Sequence, residues 1–136
     1  MKNTVNVVVY SDNAETRRRV VDTVGPRPHP DLGTLSYREI ATAAALITYL
    51  DHHGAALVIL DGEAAPAGGL GIARQLKDEL SDCPPIVVLL GRPHDAWLAR
   101  WSHADAAVRW PADPMTLSAV VSGTLLERSE RGVQPV

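Results

Sequence analysis

Short, strongly apolar runs recur along this chain, and they constrain its fold more than any other feature. They cover residues 5–10, 55–60, 86–90 and 106–108. Three of the four are continuous rather than alternating. A strand with one wet face alternates apolar and polar residues; an uninterrupted run marks a strand covered on both faces, as in a parallel sheet. Residues 32–37 form a weaker fifth candidate.

The segments between these runs read as helices. Val20, Val21 and Val24 recur at helical spacing after Asn13. Ile40, Ala43, Ala44, Ile47 and Leu50 form a second apolar stripe, and Ile72, Ala73, Leu76 and Leu80 a third. A short fourth helix is expected from about His94 to His103. The last has the clearest start, with Asp113 as N-cap, Pro114 at the first helical position, and a stripe of Leu117, Val120, Val121 and Leu125. Strands alternating with helices predict an α/β domain, a (βα)5 doubly wound five-stranded parallel sheet of the flavodoxin type. Residues 1–127 are expected to form this domain and residues 128–136 a loose polar tail.

Composition narrows the function classes. A length of 136 residues suits one domain with an adequate core. There is no Phe, so Ala, Val and Leu must build that core. A net charge of −3 argues against a general nucleic-acid binder. Arg17, Arg18 and Arg19 fan around a helix and read as a solvated face. Cys83 is the single cysteine, which excludes an internal disulfide and a cysteine zinc cluster. His52 and His53 suit a helix C-terminus better than a metal. No Ser-His-Asp or Cys-His arrangement points to an enzyme. Gly68, Gly69 and Gly71 form no phosphate-binding fingerprint and read as a flexible loop. No targeting segment or apolar stretch approaching ~20 residues is seen, so the expected location is the cytoplasm, without direct membrane insertion.

In a doubly wound sheet the ligand site lies at the carboxyl ends of the strands. Ser11, Asp12, Asp61 to Glu63, Gly91, Arg92 and Arg109 to Pro111 are therefore the residues to examine. The motifs there are Val-Val-Val-Tyr-Ser-Asp-Asn at the first strand and Leu-Val-Ile-Leu-Asp61 at the third. Ala104-Asp105-Ala106-Ala107 and Trp110-Pro111-Ala112-Asp113-Pro114 follow. In order and spacing they resemble the CheY-like receiver domain of bacterial response regulators, from Val5 to Leu126.

The resemblance implies a phosphorylation site that is only partly kept. Asp61 matches the phosphoacceptor, and Asp12 one of two acids that hold Mg²⁺. Ser11 stands in place of the second acid, Gly91 in place of a hydroxyl residue, and Trp110 in place of a lysine. Ala107 replaces the aromatic residue that turns inward on phosphorylation. A carboxylate attacking an anionic phosphoryl group needs a metal ion and fixed cations. Weak Mg²⁺ binding at Asp12, Asp61 and Glu63 is one expectation. Glu63, Arg92 and Arg109 either compensate for the losses or are solvated surface residues; the sequence leaves both open. The resemblance also implies a cis peptide between Trp110 and Pro111.

Trp97 and Trp101 sit four residues apart and share a helix face. One reading buries them against the sheet. The other follows the family pattern, in which Ala99 and Ser102 face the sheet and both indoles point outward as a partner interface. No second domain is seen, so an effect would pass through a protein partner. More narrowly, the chain resembles short orphan receivers of mycobacteria and related actinobacteria encoded near the proton-pumping NADH dehydrogenase, respiratory complex I. That implies an accessory or regulatory contact with the cytoplasmic arm of the complex, and so a peripheral place at the inner membrane. The alternatives are a working receiver that is phosphorylated on Asp61 with Mg²⁺, and a small-ligand binder using the same crevice.

Overall fold

The computed structural model describes residues 4–65, 68–92 and 96–133. Five strands alternate with five helices: β1 (Thr4–Tyr10), α1 (Ala14–Val24), β2 (Thr34–Ile40), α2 (Ala43–His52), β3 (Leu57–Asp61), α3 (Gly69–Glu79), β4 (Ile86–Leu90), α4 (Ala96–Trp101), β5 (Ala106–Arg109) and α5 (Pro114–Val133). All strand pairs are parallel, in the order β2-β1-β3-β4-β5. The continuous apolar runs of β3 and β4 are buried throughout, as a strand covered on both faces requires.

Alternate residues of each strand feed two separate cores. Val8, Tyr10, Val58, Leu60, Val88 and Leu90 pack with Leu46 of α2, Ile72, Ala73 and Leu76 of α3, and Ala99 of α4. Val7, Val9, Leu57, Ile59, Val87 and Leu89 pack with Val20 and Val24 of α1 and with Leu117, Val121 and Leu125 of α5. The period of two along a strand thus assigns three helices to one face and two to the other.

The helix starts are chemically specified. Asn13 caps α1 by accepting from the amides of Glu15 and Thr16. Thr42 caps α2 through the amide of Ala45. Asp113 accepts from the amide and hydroxyl of Thr116, and these bonds hold its carboxyl below its ordinary range.

Several sequence expectations are corrected. Ile40 belongs to β2, paired with Tyr10, and not to the α2 stripe. The buried residue of α2 is Leu46, while Ala44 is exposed, because the helix begins only after Thr42. β2 runs to Ile40 instead of ending at Tyr37, since its register with β1 continues to the last residue of that strand. α5 continues to Val133, past the start of the expected tail, because no Gly or Pro lies between Glu127 and Gly132. The fourth helix ends at Trp101, before the expected end at His103, which leaves helical geometry with φ of 64°; the expected start at His94 lies outside the described residues.

Gly68 and Gly69 do not form a flexible loop. Gly68 is the N-cap of α3, and Gly69 is its buried first residue. A β-carbon at Gly69 would lie 2.6 Å from the carbonyl oxygen of Asp61, so only glycine lets α3 start this close to the end of β3.

Candidate functional site

The chain reverses its winding direction between β1 and β3, so their carboxyl ends open onto one crevice. Asp61 ends β3 and is buried. Both its oxygens are occupied from within. The Ser11 hydroxyl donates to Oδ2 at 2.8 Å, and the Glu63 amide donates to Oδ1 at 2.8 Å. Ser11, fully buried just after β1, also accepts from the Asn13 amide at 3.0 Å. One hydroxyl therefore joins Asp61 to the start of α1.

Ser11 is itself held in place. Its amide donates to the carbonyl of Ile40, and its carbonyl accepts from Arg17 Nη1 at 2.6 Å. Arg17 also pairs with Glu39 at 3.2 Å and is largely buried. The expectation of a solvated face holds for Arg18 and Arg19, which are exposed, but not for Arg17. Arg17 follows the Asn13 cap by one helical turn, so its side chain folds back over the loop that carries Ser11. That spacing was the one available signal for it.

Asp12 is exposed, and its Oδ1 accepts from the Ala65 amide at 3.1 Å. Tyr10 lies beneath, and burial first, then the charges of Asp12 and Asp61, push its phenol above the ordinary range. Glu63 extends to Arg92 at 3.3 Å and passes directly over Gly91. Of the three residues that the sequence left open as compensating or solvated, Glu63 and Arg92 are thus paired with one another, while Arg109 is exposed at the end of β5.

These contacts decide the fit of Mg²⁺. Octahedral Mg²⁺ wants hard oxygens that converge. Ser11 removes a charge and spends its hydroxyl proton on Asp61, Asp12 points to a backbone amide, and Glu63 turns to a guanidinium. Among the described residues no three His, Cys, Asp or Glu side chains are grouped to hold a metal ion. The residues present do not fit the expected site at Asp12, Asp61 and Glu63.

No family profile matches the chain. An "uncharacterized response regulatory protein" of Mycobacterium tuberculosis strain H37Rv is 55% identical over 121 residues, covering 89% of this chain and 91% of the relative. The chain belongs to the response regulator family. A protein of the same description from M. tuberculosis strain CDC 1551 matches equally. Among solved structures, the signal receiver domain of a putative LuxO repressor from Vibrio parahaemolyticus superposes with a TM-score of 0.77 at 16% identity, covering 98% of this chain and 100% of that one. A CheY-like receiver domain protein from Methanospirillum hungatei gives 0.76 at 13%, covering 95% and 99%. At such identities these structures speak for the fold alone.

Within this receiver the remaining positions are placed as follows. The Trp110–Pro111 peptide is cis. Trp110 is partly buried and packs against the core between the sheet, α1 and α5, with the Arg19 guanidinium 5.9 Å from its ring. Ala107 is exposed on β5. On α4, Ala99 and Ser102 are buried, while Trp97 is 59% and Trp101 46% exposed. Arg74 of α3 stacks at 5.1 Å on the Trp101 ring and donates to its carbonyl. His52 and His53 bond the carbonyls of Thr48 and Tyr49 at the end of α2, and His53 stacks on Tyr49. Among the described residues no helix is long and apolar enough to cross a membrane.

Proposed function

We propose that this chain is an atypical receiver that acts by binding a protein partner, with its phosphorylation switch dismantled. The hydrogen bond from Ser11 to Asp61 carries the reading. In a working receiver an acid at that position helps a metal ion draw an anionic donor to the acceptor. Here the same position supplies a neutral donor that satisfies the acceptor internally. Trp110, half-buried against the core, supplies no cation to offset the charge that develops on phosphoryl transfer.

Trp97 and Trp101 are the partner surface in this proposal. Two exposed indoles on one short helix are the kind of anchor that protein interfaces use. The finer proposal is that the partner is the cytoplasmic arm of respiratory complex I, which would place the protein peripherally at the inner membrane. Its support is the resemblance to short mycobacterial receivers.

Two measurements test this. Incubation with acetyl phosphate and Mg²⁺, followed by intact-mass analysis, is expected to leave the protein unmodified. A stoichiometric adduct that vanishes in Asp61→Ala would establish the phospho-accepting alternative instead. Capture from native lysate is expected to recover complex I subunits with the wild-type chain and to lose them with Trp97→Ala and Trp101→Ala. Equal recovery by all three would remove the tryptophans from the interface.

A further inference from the structure

Gly91 stands where the family has a hydroxyl residue, and its surroundings explain more than a lost side chain. A β-carbon built there would lie 2.7 Å from Glu63 Cγ and 3.1 Å from Glu63 Cδ. Those atoms are the middle of an arm with a contact at each end. The Glu63 amide is bonded to Asp61, and the Glu63 carboxylate is bonded to Arg92. The arm therefore spans the ends of β3 and β4 at the mouth of the crevice. It fills the space that a side chain at position 91 would occupy.

We infer that Glu63 is an intramolecular arm that closes the crevice beside Asp61, anchored by Arg92 and admitted only because position 91 has no side chain. With Glu63 in this position, the arm and a hydroxyl side chain at position 91 would occupy the same space. A carboxylate in that place also meets an incoming phosphodonor with a charge of the same sign. Glu63 is thus a specificity-determining residue that works against phosphodonors. This rests on the reading of the site as a dismantled switch and adds the element that keeps it closed.

The backbone gives a sharp test. Gly91 does not adopt the left-handed conformation that favours glycine. Without the arm, Gly91→Ala should therefore stabilise the protein by narrowing the unfolded ensemble, a rise in melting temperature of about 2–4 °C. With the arm in place the methyl group meets the Glu63 side chain, which must shift and strain its pairing with Arg92, so the same substitution should lower the melting temperature instead. The experiment is a double-mutant cycle in the full chain, with wild type, Glu63→Ala, Gly91→Ala and the double variant followed by calorimetry. The expected result is a reversal of sign, with Gly91→Ala destabilising beside Glu63 and stabilising beside Ala. The same shift in both backgrounds would overturn the inference. The cycle reads only melting, so it can fail while the partner-binding reading stands; equal modification of Asp61 by acetyl phosphate in wild type and Glu63→Ala would overturn the claim that the arm works against phosphodonors.

Discussion

Replacing Ser11 by alanine should expose how much of this domain depends on one hydroxyl. The Ser11 side chain is fully buried and makes two bonds, donating to Asp61 Oδ2 at 2.8 Å and accepting from the Asn13 amide at 3.0 Å. A hydrogen bond to a charged group contributes about 1.5–3 kcal/mol, roughly twice the value of a neutral pair. The Asn13 amide lies in a loop that water reaches, so its loss adds only a few tenths. The expected destabilisation is about 2–3 kcal/mol at neutral pH, read from urea denaturation with an unchanged slope. Asp61→Ala removes the acceptor, and in that background Ser11→Ala should cost less than about 1 kcal/mol. The coupling between the two positions is then about 1.5–2 kcal/mol, well within the range seen for contacting residues. A Ser11→Ala protein within 0.5 kcal/mol of wild type (roughly the noise of a surface substitution), or strictly additive variants, would refute the claim that Ser11 satisfies the acceptor.

Trp97→Ala should leave stability within about 0.5 kcal/mol, because its indole is largely in water, while Trp101→Ala should lose slightly more through the Arg74 stack; a loss of ~3 kcal/mol in thermal melts would mark either as core. Asp105 Oδ2 accepts from Lys77 at 2.7 Å and from the first amide of β4, Ile86, at 2.8 Å. Asp105→Ala should therefore cost about 1–2 kcal/mol in denaturant titration, more than Lys77→Ala, which leaves the strand amide satisfied. Burial pushes the Tyr37 phenol well above its ordinary value near 10, and its hydroxyl donates to the carbonyl of Gly25 at 2.7 Å. The folded state keeps this proton while the unfolded chain releases it, so the associated stability is full below pH ~10 and falls as the pH rises beyond it. Tyr37→Phe should flatten that alkaline decline in melting temperature without abolishing it, because Tyr10 is shifted in the same direction.

The parts of this fold that were legible in the sequence are those that local chemistry determines. Uninterrupted apolar residues in β3 and β4 announce strands buried on both faces, and Asp113-Pro114 announces a helix start, because few backbone conformations suit those residues. The site was legible as a set of positions and not as a set of contacts. Ser11 reads as a missing acid, yet its bond to Asp61 crosses 50 residues and depends on β1 lying beside β3. Arg17 sits in an arginine run, and only its position one turn after the cap separates it from its two exposed neighbours. Gly91 reads as a lost hydroxyl, whereas the structure shows its place filled by a residue 28 positions earlier in the chain. Ile40 misled because an apolar residue at a strand end also fits the period of the helix that follows it.

The placement of Trp110 has a consequence for the routes open to this sequence in evolution. Its indole is part of the apolar layer under α1 and α5 and carries the Arg19 guanidinium on its ring. A single change back to lysine would take that surface out of the layer and set two like charges, on Lys and Arg19, beside each other. A cation at position 110 is therefore expected to cost stability as a single substitution, through the apolar contact it gives up and the charge it sets beside Arg19. On the reading of the site as a dismantled switch, position 110 serves the wall of the domain instead of the crevice, and stability favours the tryptophan there.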